Sequence, residues 1–176
     1  MGEWIDDDPD EVGGIQPERA PGRVLDQAML REPVRILSPR APICIAKDAL
    51  VHEAIRVMRH ERIGCVLVVE DEVLIGIVTE RDLLLKLEGR LDGAITDLMT
   101  PNPETLALED PIAWALNKMS VGGFRHLPLV DAGNRPVGIV SVKDIVDYLV
   151  DFFPNDVLTM PPDTRRAEIW RGRDGG

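Results

Sequence analysis

Apolar residues fall at Val51, Ala54, Ile55 and Met58, and again at Ile112, Ala115, Leu116 and Met119. This i, i+3, i+4, i+7 spacing predicts two amphipathic helices, each with one buried stripe. After each stripe comes a short apolar run, Val66–Val69 and Leu127–Val130, then a polar turn and a second run ending Gly76-Ile77-Val78-Thr79 or Gly138-Ile139-Val140-Ser141. Runs of this length bounded by turn residues predict hairpin strands. Each half therefore reads strand, helix, strand, turn, strand, helix, an α/β pattern used twice.

The two halves are a repeat. Pro42 aligns with Pro103, Cys44-Ile45 with Thr105-Leu106, and the helical stripes with each other, all at an offset of 61. The offset becomes 62 in the turn, where Asp71-Glu72 faces Ala132-Gly133-Asn134, so that Gly76–Asp82 matches Gly138–Asp144. A one-residue change in a hairpin loop is where a duplicated unit tolerates it best. Ahead of the first unit, Val24–Leu30 predicts a short helix and Val34–Leu37 an extended stretch. Aligning Val24–Met29 with Ile95–Met99 leaves nine more residues between Met29 and Pro42 than between Met99 and Pro103. An extra edge strand is one use for them. The expected divisions are an acidic disordered tail at 1–22, a first unit with leading helix at 23–91, a second unit at 92–150 and a partly disordered extension at 151–176. Within that extension Phe152, Phe153, Val157 and Leu158 are apolar enough to dock.

Composition narrows the class. Apolar residues make up 44% of the 176 and aromatics only 4%, so the core is built mainly from Val, Ile, Leu and Met. No apolar run reaches the roughly 18 residues of a membrane span, and the acidic start does not resemble a signal peptide. Cys44 and Cys65 read as small buried hydrophobes of a reduced, cytoplasmic protein rather than as a disulfide. Of the net charge of −11, residues 1–22 carry seven acids against Arg19, which leaves about −5 for the body. Without a basic stripe, double-stranded nucleic acid is disfavoured as a partner. His52, His60 and His126 lack metal-ligand spacing, and no nucleophile elbow or Walker loop appears, so an enzyme is not expected. Trp114 fits either a dimer contact or core packing.

The two G-h-h-[ST]-x-x-D segments, the two Ala-x3-Met helices and Leu127-Pro128-Leu129-Val130-Asp131 resemble the tandem cystathionine-β-synthase-type (CBS) domain pair, or Bateman module, over residues 24–150. The resemblance implies two CBS units packed through their sheets about a pseudo-twofold axis. It further implies clefts for adenine nucleotides or related adenosyl compounds, and association into disc-shaped homodimers.

The chemistry is intelligible from the residues. Thr79 and Ser141 should cap the helices that follow, where free backbone N–H groups and the helix dipole favour a phosphate. A hydroxyl there can donate to phosphate, and Asp82 or Asp144 three residues on can accept both ribose hydroxyls, the roles that the family assigns. The same spacing is also a capping box that serves only the helix. Arg81 and Lys143 precede the two aspartates and can add positive charge. The second repeat carries Arg125-His126 where the family often places a phosphate contact, against Gly64-Cys65 in the first. The Ser141/Asp144 site is therefore expected to suit a phosphorylated ligand better. The family's apolar adenine pocket corresponds to Ile43, Ile45, Leu106 and Leu127. The expected function is a regulatory module that needs no cofactor, senses adenine nucleotide and signals to a separate, unidentified effector protein. A ligand-free dimeric scaffold and a sensor of an adenosyl ligand such as S-adenosylmethionine are the alternatives.

Overall fold

The computed structural model describes residues 27–152. The expected acidic tail, residues 24–26 of the leading helix and all of the extension after Phe152 lie outside these.

In the first unit β1 (Cys44–Ala46) runs parallel to β2 (Cys65–Glu70), connected by α1 (Val51–Glu61). Parallel neighbours need such a crossover, and the Val51, Ala54, Met58 stripe buries α1 against the sheet. A two-residue turn at Asp71-Glu72, both with positive φ, returns the chain as β3 (Val73–Thr79). Such a turn matches the strand twist. Helix α2 (Glu80–Lys86) follows directly.

The second unit repeats this as α3 (Ile112–Gly122), β5 (His126–Val130), β6 (Pro136–Ser141) and α4 (Val142–Val150). Its longer turn is held by the Asp131 carboxylate, which accepts from the N–H groups of Gly133 at 2.8 Å and Arg135 at 2.9 Å. Its expected first strand shrinks to one parallel bridge, Leu106 to Leu129. Both hairpins bulge at the equivalent place, between Val68 and Val69 and between Leu129 and Val130.

The segments leading into each unit cross to the other. The short strand β4 (Thr100–Pro101), ahead of the second unit, pairs with β3 of the first. Arg40, ahead of the first unit, bridges to Ile139 of β6. Met29, Val34 and Leu37 are buried in the second unit's core, and Ile95 and Leu98 in the first unit's. A third cluster joins the sheets: Leu67, Leu74 and Ile77 pack against Val130 and Ile139.

These crossings correct the reading of the lead-in. Val34–Leu37 is a 3-10 turn that buries Val34 and Leu37, not an extended stretch, and Met29–Arg31 is a single 3-10 turn rather than a helix. The Val34 N–H donates to the Asp110 carbonyl at 2.8 Å, as the Ile95 N–H donates to that of Ala49 at 2.9 Å. Bridges Pro33–Pro111 and Leu50–Ala94 are likewise related by 61 positions. Val34 is therefore the counterpart of Ile95, the offset of 61 continues unbroken, and there is no nine-residue insertion. The apparent one came from matching Met29 with Met99, when the residue equivalent to Met99 is Ser38.

Three further details bear on the expectations. Cys65 is buried but Cys44, at the start of the edge strand β1, is exposed. Trp114 is 56% exposed on α3, so it does not pack in the core. Phe152 meets Tyr148 edge-to-face at 5.1 Å and packs on the second unit's core. Among the described residues, no helix is long and apolar enough to cross a membrane.

Candidate functional site

Two cavities open between the units, of about 460 and 360 Å³. Each is centred on the strand-to-helix junction that the repeat singles out. Thr79 and Ser141 are both extended residues at the N-cap of α2 and α4. The Thr79 hydroxyl donates to Asp82 Oδ2 at 2.6 Å and accepts from the Asp82 N–H at 3.3 Å, while the Thr79 N–H donates to Oδ2 at 3.0 Å. Ser141 and Asp144 reproduce this at 2.7, 3.3 and 2.6 Å. The capping box is thus formed twice. Because each hydroxyl gives its one proton to the aspartate, donating to a phosphate requires that proton to swing away.

The remaining carboxylate oxygens differ. Asp82 Oδ1 lies 2.6 Å from Lys86 Nζ, which also donates to the Leu98 carbonyl at 3.0 Å. Burial tends to raise the Asp82 pKa, but the bonds from Lys86 and Thr79 outweigh it and hold the carboxyl below its ordinary value. No donor among the described residues reaches Asp144 Oδ1. The place under it equivalent to Lys86 is taken by Tyr148, whose hydroxyl bonds Glu32 Oε2 at 2.6 Å. Asp144 therefore retains an acceptor for a ligand hydroxyl, and Asp82 has already used its own.

Around each capped helix the walls come from both units. The first cavity joins Thr79, Arg81 and Asp82 to Arg125, His126 and Leu127 of the other unit. The second joins Ser141, Lys143 and Asp144 to Ile43, Arg62, Gly64 and Cys65 of the first unit, and to Arg40. The segment before each central strand thus faces its neighbour's helix cap. Arg125 lines the cavity of Asp82 and not that of Asp144, although its carbonyl accepts from the Val142 N–H beside Ser141. His126 borders both cavities. Ile45 and Leu106 line neither: Ile45 packs on the first core and Leu106 is buried in the second.

Sequence reasoning missed Arg40 and Arg62. Both are exposed, with no ion-pair partner among the described residues. Arg62 carried a faint signal, since it aligns with Gly123 of the other repeat, and the structure puts both in the left-handed region, at φ 55° and 69°. A bulky residue held in the left-handed region points to something beyond the turn. Lys143 is ion-paired along its helix with Asp147. Burial, then the neighbouring Arg125, lowers the His126 pKa against the opposing pull of Asp144 and Glu80. Burial and the charge of Glu80 push the Cys65 thiol up to about 12, which keeps it protonated and inert at neutral pH. Among the described residues no group of three or more His, Cys, Asp or Glu side chains could hold a metal ion.

Comparison with known proteins agrees with this architecture. A family model for the CBS domain matches residues 30–89 and 95–151. A 17.7 kDa protein of Acidianus ambivalens is 28% identical over 109 residues, covering 61% of this chain and 66% of its own. This chain spans about a fifth to a third of the length of several longer relatives. Of solved structures, the CBS domain protein NE2398 superposes with a TM-score of 0.64 at 28% identity, over 68% of this chain and 98% of that one. The CBS domain pair of protein MJ0100, solved with 5′-methylthioadenosine and S-adenosylmethionine, gives 0.62 at 27% identity, over 66% and 98%. With two matched domains, reciprocal lead-in segments and two capped clefts, this chain belongs to the CBS domain family as a tandem pair, a Bateman module.

Proposed function

We propose that the chain is a non-enzymatic regulatory module that binds an adenosine-containing ligand between its units, with the Ser141/Asp144 cleft as the principal site. The unengaged Oδ1 of Asp144 carries this reading. A carboxylate oxygen at a helix N-terminus, facing a cavity that holds apolar Ile43 and the cations Arg40, Arg62 and Lys143, matches a ribose hydroxyl with a phosphate beyond it. An adenine nucleotide is the ligand that uses every part of that arrangement. The Thr79/Asp82 cleft, with Arg81 and Arg125, is proposed as the weaker site because Lys86 occupies the second oxygen of Asp82.

A second reading, a sensor of a phosphate-free adenosyl compound such as S-adenosylmethionine, is favoured by the ligands of the MJ0100 pair. The module is further proposed to act in the cytoplasm as a homodimer that signals to a separate effector. Support for association comes from apolar side chains turned to solvent, Leu84 and Leu85 on α2, Val146 on α4 and Trp114 on α3. Calorimetric titration with AMP, ADP, ATP and S-adenosylmethionine tests the proposal, using the unmodified chain and Asp144→Ala. Saturable heat lost in the variant is the expected result. The absence of heat with every ligand, together with an unchanged melting temperature, overturns it in favour of a ligand-free scaffold.

A further inference from the structure

Among the described residues, His126 alone borders both cavities. It opens β5 and pairs in register with Ser141, the cap residue of the second cleft. Its ring lies along Gly64 of the first unit: a β-carbon placed there would sit 3.3 Å from Cε1 and 3.5 Å from Nε2. Gly64 is thus the space into which the imidazole extends, and the ring occupies the crossing point of the two clefts. The charges that act on it are Arg125 beside it, Asp144 on α4 and Glu80 on α2, and the cavities it borders also carry Arg81, Asp82 and Glu104 on one side and Arg40, Glu61, Arg62 and Lys143 on the other. The repeat places Cys65 at the equivalent position, and that buried thiol does not titrate near neutral pH. Only one group at the crossing point can therefore change charge in the physiological range.

We propose that His126 couples the two clefts through a proton: an anionic group bound in either cleft draws a proton from solvent onto the imidazole, which then favours an anion in the other. A neutral imidazole has one N–H donor and one acceptor, whereas the imidazolium donates from both nitrogens. The charged ring can serve both clefts at once and the neutral ring only one. Without ligand, burial and Arg125 keep the ring neutral, so the proton arrives with the first anion. By linkage, binding tightens as pH falls, and each cleft raises the affinity of the other by the same factor. This inference rests on the nucleotide-binding reading and adds a regulatory property to it.

The test is titration with AMP, and with adenosine as the phosphate-free control. Buffers of different ionisation enthalpy count the protons taken up. The full chain is compared with Asp82→Ala, Asp144→Ala and His126→Asn. Proton uptake is expected with AMP but not adenosine, in both single-cleft variants. AMP affinity should be several-fold higher at pH 6 than at pH 8 if bound phosphate makes the imidazole about ten times more basic, the full tenfold being reached only well below both pKa values. Both effects should vanish in His126→Asn, whose AMP affinity should be equal at pH 6 and pH 8 and no higher than that of the unmodified chain at pH 8. Uptake that survives in His126→Asn, or that occurs in only one single-cleft variant, overturns the coupling and leaves nucleotide binding standing. No saturable heat from AMP or adenosine in any chain, with melting temperatures showing all of them folded, overturns both.

Discussion

Lys86 Nζ lies 2.6 Å from Asp82 Oδ1, and the residue that the repeat puts in its place beside Asp144 is Tyr148, whose hydroxyl turns away to Glu32. Lys86, with Thr100 Oγ1 at 3.5 Å from the same oxygen, thus makes two otherwise matching helix caps chemically unequal. Asp82 is bonded on both oxygens and Asp144 on one.

Asp144→Ala should weaken AMP binding by roughly 1–3 kcal/mol, the scale for losing hydrogen bonds to a charged group. Asp82→Ala should change affinity much less. Both variants should lose about 0.5–2 kcal/mol of stability through the broken cap. Lys86→Met leaves Asp82 Oδ1 with only the long bond from Thr100 and should strengthen the first cleft, narrowing the gap between the two sites. Calorimetry on the three variants checks the order, and equal losses from the two alanine variants would contradict it.

Acid should destabilise the fold through His126. The folded chain holds this imidazole below its ordinary pKa of 6.5, chiefly by burial. The unfolded chain therefore takes up the proton first, and stability declines as pH falls from about 6.5 through the folded-state value. Above that window both states are neutral and no penalty exists. His126→Asn should flatten the fall in melting temperature between pH 7.5 and pH 5.5 relative to the unmodified chain. An identical slope in both would rule out His126 as the source.

The duplication, the hairpins and the two capping boxes were legible because they depend on contacts between residues close in sequence. Thr79 to Asp82 is a three-residue relationship, and a turn such as Asp71-Glu72 is set by its neighbours. What lay beyond the sequence was long-range. Nothing local in Val34–Leu37 says that it fills the opposite unit's core, and its apolar run was read as an extended stretch. Arg125 shares a repeat with Ser141, yet it lines the cavity around Asp82 of the facing unit. Exchange between the units also explains why Arg40, remote in sequence from Asp144, borders the same cavity.

Reciprocal packing predicts that the lead-in segments matter to stability as much as the strands. Val34 and Ile95 are both fully buried, each in the core of the unit it does not lead into. Val34→Ala should cost roughly 2–3 kcal/mol and Ile95→Ala roughly 2–5 kcal/mol, from lost burial plus the cavity left behind. Urea unfolding should show both as single cooperative transitions, because the third cluster and the crossed segments tie the units together. A biphasic curve in Val34→Ala, with one half melting early, would mean that the units fold independently.

Arg62 should show opposite effects on stability and binding. It ends α1 with φ 55°, a conformation that glycine adopts freely and that costs other residues about 1–2 kcal/mol. At the same place after α3 the chain has Gly123. Arg62→Gly removes the strain but loosens the unfolded chain, so a net gain of roughly 0.5–1 kcal/mol is expected. It also removes one of three cations around the Ser141/Asp144 cleft, so AMP affinity should fall while adenosine affinity stays level. Arg62→Lys separates the two effects, since it keeps the charge and the strain: stability should remain near that of the unmodified chain and most of the AMP affinity should be retained. Denaturation and AMP titration of both variants decide the matter. If Arg62→Gly bound AMP as tightly as the unmodified chain, the arginine would have no part in holding phosphate.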